Sequence, residues 1–205
     1  PDKCWNGYTI LSMQNSLIDM NGNVVKHWES SLEGHSELAK ILPGGYLMTD
    51  IGPGHQNNVY QFDWNGNIVW KFETKHHHDF QREGNPVGYY VPGMEPLVDR
   101  GNTFILTHKE IKNSQIAPVV LMDDCIIEVT WDGKIIWEWL LSDHFDEFGF
   151  SQAAKNAMYR SGGTSKREFF DWAHVNCISL LGPNKWYDAG DERFNPDNII
   201  CDSRH

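Results

Sequence analysis

The residues of this chain best placed to do chemistry are histidines followed, two positions on, by an acid or an amide. Imidazole can act as nucleophile or acid near neutral pH. The fullest copy is Asp171-Trp172-Ala173-His174-Val175-Asn176-Cys177-Ile178. Side chains on a strand alternate with period 2, so His174 and Asn176 are expected to point together into whatever that strand lines. The same spelling occurs at His35-Ser36-Glu37-Leu38 and at His77-His78-Asp79-Phe80. Three copies of one polar pair predict a shared site.

The elements that must position these pairs are legible as an internal repeat. Ser16–Trp28, Tyr60–Phe72 and Ile127–Trp139 align, each with an Asn-Gly or Asp-Gly between two apolar runs. That dipeptide is the strongest short-range hairpin signal, and it predicts type I′ turns with positive φ at both central residues. Gly22 and Gly66 lie 44 residues apart and Gly66 and Gly133 lie 67 apart, the first spacing matching one four-stranded propeller blade and the second a blade with an insertion. The insertion is the Gly/Pro/aromatic loop 82–93, and an apolar run turning back at glycine follows each histidine motif. The expected fold is therefore all-β, a β-propeller of four-stranded antiparallel blades, six-bladed when complete. Residues 1–205 would supply about three to four blades as one partial domain. The innermost strands would carry the motifs into a central channel. A short helix N-capped by Ser151 and a polar excursion over 185–196 complete the pattern.

The bulk numbers narrow the partners. A net charge of -11 over 205 residues argues against nucleic acid or an anionic membrane as the main partner. No run approaches the roughly 20 apolar residues that span a bilayer. Aromatics are 13 % of the chain, with nine tryptophans, which favours a strand-built, aromatic-packed body; Trp28, Trp64, Trp70, Trp131, Trp137 and Trp139 are expected to pack blade against blade. The first residue, Pro1, suggests a processed start. Cys4, Cys125, Cys177 and Cys201 form no C-x-x-C pair; a Cys177–Cys201 disulfide and two buried free thiols are both open.

With these residues in hand the chain resembles the bacterial arylsulfate sulfotransferases. The likeness runs through Pro1–Ile10 and Leu17–Val25, His77-His78-Asp79-Phe80, Trp137-Glu138-Trp139, His144-Phe145-Asp146, Asp171–Asn176 and Ser203-Arg204. The resemblance implies a propeller that moves a sulfuryl group from a phenolic sulfate ester to an acceptor phenol through a channel histidine, with no cofactor. Carried over, His174 and Asn176 hold and protonate the ester or sulfuryl oxygens, Arg204 grips the sulfate, and His77 or His78 is a further channel histidine. Competing readings are a solvated, basic loop for residues 75–78 and a salt bridge for Arg204. His27, His55, His108 and His144 are taken as surface or loop residues. The nucleophilic histidine is expected in a later blade, so a complementary protein chain is the expected partner beside a small aromatic substrate. The resemblance implies a periplasmic or secreted protein. Two other functions remain open: a metal-dependent enzyme in which His35, His77, His78 and His174 hold Cu, Zn or Fe, and a non-catalytic propeller subunit of a larger assembly.

Overall fold

The three hairpins form where the Asn-Gly and Asp-Gly dipeptides put them. The computed structural model describes residues 6–29, 32–53, 57–84 and 97–204; Cys4, His55 and Tyr89-Tyr90 lie outside them. Strands β1 (Thr9–Leu11), β2 (Ser16–Ile18) and β3 (Val24–His27) make a three-stranded antiparallel sheet. The turns are not type I′. In each, the glycine N–H donates to the carbonyl three residues back (Gly22 to Asp19 and Gly66 to Asp63 at 3.1 Å, Gly133 to Thr130 at 3.0 Å). The glycine alone has positive φ, at 83°, 91° and 81°. This is a three-residue loop with glycine in the left-handed position. Its cause is a side chain: Asp19 and Asp63 each accept the N–H of the residue four on, at 2.9 Å, and Thr130 accepts that of Lys134 at 3.1 Å. These bonds hold the extra loop residue in place.

A second, larger sheet runs β4 (Ala39–Leu42), β5 (Tyr46–Ile51), β6 (Asn57–Phe62), β7 (Ile68–Arg82), β8 (Thr103–Ile111), β9 (Leu121–Val129) and β10 (Ile135–Leu140), each strand antiparallel to the next. It amounts to two four-stranded meanders sharing β7. The first half of that 15-residue strand pairs with β6 and the second with β8, and His76 sits at the changeover, opposite both Asn57 and Thr107. A short strand, β11 (Phe170–Asp171), adds in parallel to β9, while β12 (Val175–Leu180) and β13 (Ile199–Ser203) form a separate antiparallel pair.

Alternation buries apolar sets on both faces of the sheet, one of them spanning both meanders. Leu42, Met48, Val59, Trp70, Phe80, Ile105, Ile127 and Val129 make one core cluster, and Trp28, Leu47, Ile51, Tyr60 and Phe62 another. The tryptophans tie successive hairpins together: Trp28 Nε1 donates to the Asp63 carbonyl and Trp70 Nε1 to the Trp131 carbonyl, both at 3.0 Å. Trp64 is partly exposed yet stands edge-on to Trp28, ring centres 5.5 Å apart, whereas Trp137 is exposed. Helix α1 (Gln152–Thr164) begins at Ser151, whose Oγ accepts the Ala154 N–H at 3.2 Å. It runs on through Gly162, which packs against Ala117 and Phe170. The excursion at 185–196 contains one turn of helix, α2 (Lys185–Asp188), capped by Asn184. Among the described residues no helix is long and apolar enough to cross a membrane.

Three motif-bearing strands lie side by side without sharing a ladder. Lys40 of β4 reaches Asp79 Oδ1 on β7 at 2.6 Å, the Ile178 N–H of β12 donates to Asp79 Oδ2 at 3.0 Å, and the Leu180 N–H donates to Gln81 Oε1 at 2.8 Å. Asp79 therefore joins β4, β7 and β12. Its carboxylate replaces the backbone pairing that a continuous sheet would have supplied.

Candidate functional site

The site begins with an irregularity in β7. Between His76 and Phe80 that strand advances four residues while β8 advances two, from Thr107 to Ile105. The extra residues bulge out of the ladder and carry His77 and His78 with them. His78 takes φ 62°, a left-handed conformation uncommon outside glycine. His174 does the same at φ 55°, in the residue before β12. Each such residue stores roughly 1–3 kcal/mol of strain, which persists only where the surroundings enforce it.

The two distortions bring imidazoles from β7, β8 and the start of β12 into one cluster. The ring of His77 lies 4.1 Å from that of His78, 3.9 Å from His108 and 5.0 Å from His174, centre to centre. His78 Nε2 and His174 Nε2 share a hydrogen bond of 3.1 Å, and His174 Nδ1 is 2.5 Å from Asp171 Oδ2. On the other side, His77 Nδ1 is 3.1 Å from Asp124 Oδ1, whose second oxygen accepts the Val175 N–H at 3.0 Å. Consecutive residues on β9 face opposite ways. Asp124 therefore meets the histidines while Asp123 accepts from Trp172 Nε1 (2.6 Å) and the Ser142 N–H (3.1 Å) in the neighbouring core.

Burial sets the charge of the cluster. It pushes His77 down to about 3, helped by the charges of His78 and His174, and His108 down to about 4, helped by His77. His78 is lowered by burial and by His174, with the carboxylate of Glu37 pulling the other way. Burial also raises Asp124 to about 6, against the Val175 N–H that favours its ionised form. At neutral pH these three imidazoles carry lone pairs, the form that accepts a proton or a metal ion.

The expected site residues are only partly brought together. His77, His78 and His174 meet. His77 is buried and His78 half-buried within β7, so residues 75–78 are not a solvated loop. The strand continues because carboxylates receive its imidazoles: Asp124 takes His77, and Asp50 lies 3.4 Å from His76. His35 does not join the cluster; it is exposed and bridges Gly52 through its backbone. Its motif touches the site only through Glu37. Asn176 does not share a strand face with His174, because His174 precedes β12 and Asn176 is the extra residue of a bulge against Ser203 and Asp202. Its amide donates to the His174 carbonyl at 3.4 Å. Arg204 is exposed, and its backbone N–H donates to the same carbonyl at 3.1 Å.

His108, Asp124 and Asp171 complete the constellation; His108 is no surface or loop residue, and of the three Asp171 alone stands in a sequence motif. One signal was available: Asp123-Asp124 interrupts the apolar run of β9, and adjacent acids in a strand core need partners. Cys177 and Cys201 are free and exposed, and Cys125 is free and buried. Ile178, not Cys177, stands opposite Cys201 in the register, so the two sulfurs are offset rather than paired.

A family model described as arylsulfotransferase (ASST) matches residues 12–187. That span contains every member of the cluster and stops short of Arg204. No curated protein matches the chain.

Proposed function

Because this chain belongs to the arylsulfotransferase family, we propose that it moves a sulfuryl group from a phenolic sulfate ester to an acceptor phenol, with Asp171, His174 and His78 relaying the proton. Membership supports a sulfotransferase-type enzyme acting on aromatic compounds. The finer reading rests on one observation: an unbroken hydrogen-bonded chain from Asp171 through His174 to His78. It leaves His78 Nδ1 without a partner among the described residues.

The relay works as follows in the direction of ester cleavage. Asp171 fixes the tautomer and orientation of His174 and compensates its charge when the ring carries both protons. His174 Nε2–H then donates to His78 Nε2, so the proton of His78 is on Nδ1. As the bond between phenolic oxygen and sulfur breaks, its electron pair stays on the oxygen, which takes the Nδ1 proton. The Nε2 proton of His174 passes to His78, and neutral rings remain. As the acceptor phenol's oxygen attacks sulfur, the nitrogen–sulfur bond to the sulfuryl-carrying histidine breaks with its electron pair left on nitrogen. The phenol proton passes to His78 Nδ1, and the Nε2 proton of His78 returns to His174. General acid–base assistance of this kind contributes about 10²–10⁴-fold. The histidine that takes up the sulfuryl group is read, from the family resemblance, as belonging to a further blade. Asn176 and Arg204 flank the cluster through the His174 carbonyl and would face the sulfuryl oxygens.

The two meanders sharing β7, flanked by β1–β3 and β12–β13, are read as successive blades, with β4, the second half of β7 and β12 lining the channel. β13 pairs only with β12 among the described residues and presents Ile200 half exposed. A complementary set of strands would cover it. The test is release of 4-nitrophenol from its sulfate ester, with and without an acceptor phenol, by a preparation containing the complementary strands. Asp171→Asn and His78→Gln are expected to lower turnover by about 100-fold or more. Wild-type turnover retained in both variants, or none in the complete preparation, would refute the reading.

A further inference from the structure

Three members of the cluster, His77, His108 and Asp124, have no role in that relay. His108 Nε2 is buried and has no hydrogen-bond partner among the described residues. Its ring centre is 3.9 Å from that of His77, and Asp124 Oδ1 lies 3.1 Å from His77 Nδ1. One donor atom from each of His77, His108 and Asp124 lies within 4.8 Å of the other two.

The electrostatics of this corner are incomplete. Asp124 is 2 % exposed, and among the described residues its partners are the Val175 N–H and the His77 ring. Burial keeps His77 and His108 uncharged at neutral pH, so no fixed positive charge sits beside the carboxylate. An ionised carboxylate without a countercharge is costly in a buried site, and so is an imidazole nitrogen with nothing to bond. A single cation would answer both deficits.

We propose that His77, His108 and Asp124 bind a divalent first-row transition ion of the zinc type, at a site separate from the Asp171–His174–His78 relay. Two imidazole nitrogens with one carboxylate oxygen suit zinc and its neighbours in the series, whereas calcium and magnesium select all-oxygen shells. The three residues stand on β7, β8 and β9, adjacent strands of one ladder, so their backbones are already fixed. The second oxygen of Asp124 is held by Val175, the kind of outer contact that orients a metal-binding carboxylate. The histidines 77, 78 and 174 also lie close enough together to hold an ion. Their nitrogens are less available, because His78 and His174 bond each other and Asp171 holds the far side of His174. His108 brings a buried nitrogen that has no partner among the described residues.

The test uses the full chain, purified without a polyhistidine tag, stripped with a chelator and titrated with Co²⁺ under visible absorption. Zn²⁺ follows as competitor. A d–d band that saturates and is displaced by Zn²⁺ is expected. His108→Phe keeps a ring against His77 and is expected to weaken Co²⁺ binding at least about tenfold, the low end of what even outer partners of a metal site cost. Circular dichroism checks that this variant is folded. His78→Ala is expected to leave binding unchanged. Wild-type binding by folded His108→Phe, loss of binding in His78→Ala, or no Co²⁺ or Zn²⁺ binding by the parent chain would each overturn the assignment. No arm measures aryl sulfate turnover, so the metal site and the transfer reaction stand or fall separately.

Discussion

Replacing His108 with phenylalanine should make the fold markedly less sensitive to acid. His108 titrates at about 4 in the folded chain against an ordinary 6.5, because burial opposes its charge. A folded value below the unfolded one means that the unfolded chain binds protons first. The stability tied to the neutral ring is therefore whole above pH 6.5, declines as pH falls, and is fully lost below about pH 4. At about pH 5 the unfolded ring is almost entirely protonated and the folded ring almost entirely neutral, so His108 alone costs about 2 kcal/mol there; the limit at lower pH is about 3 kcal/mol. Phenylalanine cannot take the proton. Urea unfolding of parent and variant at about pH 7.5 and pH 5, with chelator present, gives the change in stability for each, and the variant should lose about 2 kcal/mol less. Asp124 titrates in the same window with the opposite sign and is coupled to His108, so the same comparison on an Asp124→Asn background isolates the His108 contribution. Equal losses to within about 0.5 kcal/mol would show that His108 is not buried against its charge, and the electrostatic picture of the cluster would fail with it.

Asp124→Asn tests the opposite sign: its carboxyl is raised from 3.8 to about 6, so the contribution of the protonated form is whole below pH 3.8 and lost as pH rises through about 6. The asparagine variant should be more stable by up to about 3 kcal/mol near pH 8 and should converge with the parent near pH 4, measured by urea unfolding with chelator. Gly162→Ala would add about 1 kcal/mol on helix propensity alone. A Cβ there meets Ala117 Cβ at 2.5 Å and Phe170 Cδ1 at 3.0 Å, so a net loss of about 1–2 kcal/mol in thermal melts is expected instead. Cys177 and Cys201 should react with a maleimide in the native protein and Cys125 only after unfolding, read by peptide mass mapping; a Cys177–Cys201 disulfide peptide would contradict the register.

The repeat was legible because each of its signals is local. A glycine between alternating apolar runs must turn, whatever surrounds it, and all three hairpins formed at Gly22, Gly66 and Gly133. Even so, the turn type escaped, since it depended on Asp19, Asp63 and Thr130 accepting backbone N–H groups four residues on. His77, His78 and His174 were found by spelling. His108 was not, because nothing in its own segment marks it, and Asp124 was marked only by the acid pair that interrupts β9; both matter through the strands beside them.

By itself the sequence determined the β-rich composition, the hairpin positions and the histidine motifs, all properties of residues within a few places of each other. Tertiary structure decided which histidines meet. A two-residue bulge in β7 brought out His77 and His78, while left-handed backbone at His174 and a bulge at Asn176 broke the period-2 rule that had put His174 and Asn176 on one face. The side-by-side placing of β7, β8 and β9 then chose Asp124 as a partner, while Asp171 meets His174 from three residues away. Strand register is a balance of long-range packing and hydrogen bonding summed over many residues, and no short stretch of chain carries that sum.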